Sequence, residues 1–97
     1  MKGTHPATIA AVAGTVAVAA VFALLVSRQR SLEVFYGLFL FHNGPPGVVL
    51  LWMGRLVLLH RPGHRAGRTL MAMGLVSVAH VLVAGWADLA LVAIGFD

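Results

Sequence analysis

The chain has 97 residues, 60% hydrophobic and only 10% charged, with a mean hydropathy of +0.93. A soluble domain is about 45–50% apolar and about 25% charged, and a small one buries only about 60% of its surface, so this excess cannot be hidden in a soluble core. The formal charge of +4 comes from basic residues set between apolar runs, and the chain contains no cysteine. The first pattern speaks for topology and headgroup contact and against nucleic acid, and the second excludes disulfides, thiolate metal sites and iron–sulfur clusters held by this chain alone.

The expected fold class is therefore an all-α integral membrane protein, a single membrane domain with three hydrophobic segments. The first segment, about residues 7–27, is longer than a signal-peptide core, and its one weak cleavage match, Ala17–Ala19, lies inside the run. It reads as a retained transmembrane helix. Ala10, Gly14 and Ala17 supply small residues at close spacing, which lets helix backbones approach.

Between the first and second segments lies Ser-Arg-Gln-Arg. Arg28 and Arg30 are expected at the headgroups, Ser31 is a candidate helix cap, and Glu33 suits a helix N-terminus. The middle segment, about residues 32–60, is interrupted by Asn43-Gly44-Pro45-Pro46-Gly47. Two prolines without N–H groups, flanked by glycines, predict a kink or a turn at that point. Two topologies follow, a long kinked span or a re-entrant hairpin. The positive-inside rule favours the hairpin, whereas the cost of irregular backbone in hydrocarbon favours the span, which is preferred here. In the span, the best orientation keeps Lys2 and the second basic loop in the cytoplasm and leaves Arg28 and Arg30 outside. A break of either kind leaves backbone groups that lipid cannot satisfy, which points to cover by other chains.

A basic loop follows over residues 61–68, with Pro62-Gly63 as its turn, Gly67 loosening its end, and Arg61, Arg65 and Arg68 as headgroup or phosphate contacts. The last helix is expected over about residues 69–96. Gly74, Ser77, Ala84, Gly85, Asp88 and Gly95 fall on one side at 100° per residue, and Leu75, Leu82, Trp86 and Leu89 on the other. The small and polar side should meet protein and the bulky side lipid. Trp86 and Phe96 fit an interfacial belt.

Ionisable residues within the membrane are the main functional pointers: His42, Arg55, His80 and Asp88. In the kinked span His42 comes level with Asp88, offering a His–Asp pair. In the hairpin it comes level with His80, and two histidines at one depth could hold haem b or a metal ion. Arg55 either snorkels to headgroups or meets a carboxylate of another subunit or a lipid phosphate. No metal site is assigned, and a hydrogen-bonded histidine is the plainer reading. With three carboxylates and no nucleophile–base set or phosphate loop, the sequence does not read as an enzyme.

The reading that follows is a small non-catalytic subunit packed into a larger assembly in a membrane, expected to be the cytoplasmic membrane of a prokaryote. Its partners would be lipids and other membrane subunits or copies of itself. One alternative is a self-assembling homo-oligomer: a pore, a holin-like protein or a pilin-like filament subunit. The other is His-ligated haem or metal binding through His42 and His80.

Overall fold

In the computed structural model, which describes residues 5–95, the first helix, α1 (Pro6–Ser27), starts where a proline needs no N–H donor. The His5 ring accepts a hydrogen bond from the Ala7 N–H at 3.0 Å and so caps it. The helix ends in a Schellman turn: the N–H groups of Gln29 and Arg30 donate to the carbonyls of Val26 and Leu25. Gln29 takes the left-handed conformation, φ 58°, that glycine usually fills.

A short α2 (Leu32–Gly37) follows, then α3 (Leu40–His60), then α4 (Arg65–Ala93). Ser31 sits at the N-cap of α2, yet its side chain makes no capping bond. The described residues are all-helical, and helix makes up 86% of the structure. Two helices, α1 and α4, are long and apolar enough to cross a membrane. Helix α3 is comparable in length at 21 residues, but its interior holds His42, Asn43, Pro45, Pro46 and Arg55.

The course of the middle segment differs from the sequence expectation. The helix runs on through Asn43-Gly44-Pro45-Pro46-Gly47, and the interruption lies upstream, at Leu38–Phe39, where Phe39 has φ 58°. The reason is positional. Gly44 and Gly47 are buried while Pro45 and Pro46 are exposed, so the glycines face neighbouring helices and the rings point outward. The rings deprive only the carbonyls of Phe41 and His42 of their usual donors, one turn into the helix.

The second basic stretch differs too. Helix α4 begins at Arg65, four residues before the expected start, because the His64 ring caps it by accepting from the Ala66 N–H. Gly67, expected in a loop, is buried in the first turn of α4. Helix α4 ends at Ala93. Phe96 and Lys2 lie outside the described residues.

The three long helices form an up-down-up bundle. Thr8 meets Arg55, Gly14 meets Leu51, and Val18 and Phe22 meet Gly44, so α1 and α3 are antiparallel. Gly47 meets Ser77 and Gly54 meets Met71, so α3 and α4 are antiparallel as well. Gly14 meets Val78 and Val21 meets Gly85, so α1 and α4 run parallel. Helix α3 runs once along the bundle and does not turn back on itself.

One spacing rule accounts for the interior. The buried residues are Ala7, Ala11, Gly14, Val18, Val21 and Leu25 on α1, Leu40, Gly44, Gly47, Leu51 and Gly54 on α3, and Gly67, Met71, Gly74, Val78, Val81 and Gly85 on α4. Each series steps by four and three in alternation, the heptad spacing that keeps one seam facing inward along a left-handed supercoil. Glycine and alanine fill about half of these interior positions, Val, Leu and Met the rest, whereas Ile9, Val16, Leu24, Val76, Val83, Trp86 and Ile94 stand outside. At the top of the bundle α2 folds over the end of α1 and α3. Its buried Phe35 lies 5.2 Å from both Phe22 and Phe41, edge-on to the first and stacked on the second.

Candidate functional site

The polar groups fall at the two ends of the bundle, and the helix register decides which of them meet. At the end formed by α2 and the C-terminal part of α4, the Schellman turn brings Arg30 back under α4. Its Nε and Nη2 donate to the two carboxylate oxygens of Asp88 at 2.9 and 3.1 Å. The side chains are 18% and 14% exposed. A bidentate guanidinium–carboxylate pair in a half-buried position is among the stronger polar contacts a protein makes. Asp88, expected beside His42, is thus held by Arg30, and Arg30, expected at headgroups, serves α4 instead.

His80 lies alongside the α2–α3 link. Its Nε2 is 2.8 Å from the carbonyl oxygen of Leu38, an acceptor only, so Nε2 carries the proton and donates. The bond caps the carbonyl exposed by the interruption at Phe39. It also occupies one of the two ring nitrogens that a metal could use. His42 is one turn beyond Leu38, with its ring edge-on to Phe39 at 5.7 Å. His42 and His80 therefore address the same link from α3 and α4. The early start of α4 explains this: four extra residues bring His80, rather than Asp88, level with His42. Among the described residues no three His, Asp or Glu side chains are grouped as a metal site.

At the opposite end, Arg55 of α3 is half-buried. Its Nε donates to the Thr8 hydroxyl at 2.7 Å, and its guanidinium carbon lies 5.3 Å from the Trp52 ring centre. Trp52 in turn donates from Nε1 to the Thr15 hydroxyl at 2.8 Å, and that hydroxyl donates to the Ala11 carbonyl. A short polar strip thus joins α1 to α3 along their outer edge. Threonine at 8 and 15 and Trp52 were not singled out from the sequence; Thr8 and Thr15 are seven apart, Trp52 and Arg55 three apart, and each follows a seam position by one residue, which is the signal that finds them. Beyond the strip, Arg61, Arg65 and Arg68 are exposed around the turn between α3 and α4, as is Arg28 at the other end.

Packing on the bundle's surface is uneven. Leu51, fully buried, enters between Gly14 of α1 and Gly74 of α4. On the α3–α4 seam a Cβ added to Gly47 would lie 2.8 Å from the Ser77 Cβ, and one on Gly54 would lie 2.9 Å from the Met71 backbone nitrogen. Gly85 is packed against Val21. Alongside the Gly14–Val78 contact, α1 and α4 leave a shallow groove of about 340 Å³. Ala10, Ala13 and Ala17 line it on one side and Leu75, Ala79 and Leu82 on the other. No protein-family model matches this sequence, and neither a curated protein nor a solved structure matches it.

Proposed function

We propose that the chain is a small, non-catalytic membrane subunit that packs sideways into a larger membrane assembly. The observation that carries this reading is the α1–α4 groove. Its α1 side is made only of small residues, Ala10, Ala13, Gly14 and Ala17, facing Leu75, Val78, Ala79 and Leu82 of α4, while the remaining outer surface carries many exposed Val, Leu, Ile and aromatic side chains. In hydrocarbon there is no solvent-driven force between helices, so close van der Waals packing on small residues is the principal source of association. A groove with one wall of small residues is a shape that a transmembrane helix of another subunit fits. The exposed Pro45 and Pro46 support the same reading, because the carbonyls of Phe41 and His42 lack their usual N–H donors and gain from a polar group supplied by a neighbour.

In this reading α1, α3 and α4 all cross the bilayer. The end carrying Arg55, Arg61, Arg65 and Arg68 lies in the cytoplasm, as the positive-inside rule requires. The N-terminal start of α1 is then cytoplasmic and the Arg30–Asp88 end faces out.

The test is native mass spectrometry of the tagged chain extracted from its own host's membranes in mild detergent, with Ala17→Leu as the paired variant. The expected result is stoichiometric foreign subunits with the parent chain and their loss with the variant, whose helical circular dichroism is unchanged. Identical copies alone would move the reading to a self-assembling pore or filament. A bare monomer from both would overturn it.

A further inference from the structure

The charges of this bundle are segregated along its axis. Of the three carboxylates in the chain, Glu33 and Asp88 lie at the α2 end, and Asp97 is outside the described residues. Arg55 sits at the other end, about 8 Å inside the end of α3 from its five-residue distance to His60. There it is a cation on the outer edge of the bundle, with Arg61, Arg65 and Arg68 as its nearest charged residues in sequence.

The guanidinium is held rather than free to wander. Its Nε is used by Thr8, and its guanidinium carbon lies over the Trp52 ring, 5.3 Å from the centre. A guanidinium has five N–H donors, and Thr8 uses one. No acceptor for the two Nη groups is found among the described residues. They form a planar fork, the geometry that matches two oxygens of a phosphate. From Thr8, the residue that holds Nε, a shallow apolar groove of about 370 Å³ runs along Ile9, Val12 and Ala13 on the outer face of α1. If α1 and α3 cross the bilayer as proposed above, this charged fork near one end of the bundle, with a shallow apolar depression on α1 bordering Thr8, matches a molecule with an anionic phosphate head and an acyl tail.

We infer that Arg55, positioned by Thr8 and Trp52, binds the phosphate of an anionic phospholipid whose acyl chain lies along Ile9, Val12 and Ala13. The exposed rim of Arg61, Arg65 and Arg68 raises the local concentration of anionic lipid, and Arg55 selects one molecule from it. Removing Arg55 exchanges charge-assisted hydrogen bonds for none, an effect on the order of tenfold in affinity.

The experiment uses the full chain, purified in a non-ionic detergent and stripped of lipid, with Trp86→Phe so that Trp52 is its one indole. Dioleoyl phosphatidylglycerol, dioleoyl phosphatidylcholine and inorganic phosphate are titrated separately, followed by Trp52 fluorescence and by native mass spectrometry. One retained phosphatidylglycerol is expected, with a Trp52 shift, binding on the order of tenfold tighter than phosphatidylcholine. Arg55→Gln should lose both the retained lipid and the shift. Thr8→Val keeps the charge and removes the positioning bond, and should weaken binding by a smaller factor; it decides the matter if Arg55→Gln fails to fold by circular dichroism. The triple variant R61Q/R65Q/R68Q should still retain its one lipid. The inference is overturned if Arg55→Gln folds and binds phosphatidylglycerol like the parent, if Thr8→Val changes nothing, or if only the triple variant loses the lipid. An equal Trp52 shift from millimolar inorganic phosphate overturns it in favour of a free anion. Retention by the assembly of a partner carboxylate on Arg55, with no lipid, overturns it in favour of an ion pair between subunits.

Discussion

The α3–α4 and α1–α4 seams draw on the same small residues and reach different densities. On α3–α4, glycines stand on both helices, Gly47 and Gly54 facing Gly67, Met71 and Gly74, and the backbones approach until no added Cβ would fit. On α1–α4, contact is made at Gly14 with Val78 and at Gly85 with Val21, and a groove opens alongside the first contact, with Ala10, Ala13 and Ala17 facing Leu75, Ala79 and Leu82. Alanine methyls on α1 opposite branched side chains on α4 hold these backbones further apart than glycine against glycine does. Where lipid offers the same apolar contact as a neighbouring helix, that spacing decides whether a seam closes on itself or stays available to another chain.

The sharpest way to break this contrast is to place the same side chain in both seams. Gly54→Leu puts a branched side chain against the Met71 nitrogen and the Gly67 carbonyl oxygen, which lie 2.9 and 3.0 Å from the position of a new Cβ. Those are backbone atoms, and they cannot yield as a flexible side chain would. A loss of about 3 kcal/mol is expected, the upper range for overpacking, with α3 and α4 separating first. Ala17→Leu, in the groove, should leave the isolated chain within about 0.5 kcal/mol of the parent. Denaturation of both variants in mixed micelles, followed by helical circular dichroism, makes the comparison. Equal losses would show that the groove is as closed as the glycine seam.

Much of this packing is present in the sequence as spacing. Gly74, Ser77, Gly85 and Asp88 could be placed on one side of the last helix because 100° per residue is robust over eight turns, and the structure puts them on its inward half. The finer four-three alternation, which makes Val78 and Val81 interior and leads to Gly44, Gly47, Leu51 and Gly54 on α3, is equally legible but is hidden by abundance. In a chain with 11 glycines and many alanines, small residues occur at every offset. The Asn43–Gly47 stretch was misleading for a different reason. Gly-Pro-Pro-Gly has the composition of a turn, yet within α3 its two glycines are spaced to face neighbouring helices and its prolines to face out. Nothing local marks Leu38–Phe39 as the interruption, because Phe39 is a poor residue for a left-handed conformation. Its placement depends on the Phe22–Phe35–Phe41 cluster and on His80, which come from elsewhere in the chain. The pairing of Asp88 was hidden by a boundary: starting α4 at Arg65 instead of Thr69 moves every partner on that helix by about one turn.

Where α1 and α4 pack loosely, the Arg30–Asp88 pair helps to close them, which gives a second way to test the seam. Asp88→Asn removes the charge that both guanidinium hydrogen bonds use. With both side chains less than one-fifth exposed, a cost of about 2 kcal/mol is expected. Arg30→Gln should cost a similar amount. The double variant should cost clearly less than the two together, because each single change leaves the other group half-buried without its counter-charge. Unfolding of the four species in the same micelles gives the coupling. Simple additivity would mean that the pair contributes nothing specific, and that the α1–α4 seam is held by Gly14 and Gly85 alone.

The smallest effect concerns the turn that delivers Arg30 to this pair. Gln29 is exposed and has φ 58°, and the Schellman bonds on either side of it depend on that conformation. A side chain there costs energy because Cβ crowds the following carbonyl, whereas glycine adopts the same angles without that contact. Gln29→Gly should therefore raise stability by about 0.5–1 kcal/mol, the gain being partly offset by the greater freedom of glycine in the unfolded chain. Because the turn fixes where Arg30 points, the gain should depend on the ion pair. In an Asp88→Asn background the same substitution should still relieve the backbone but should no longer improve the holding of α1 against α4. If Gln29→Gly is destabilising in both backgrounds, the left-handed residue is being held by its own side chain, and the turn rather than the ion pair sets the position of Arg30.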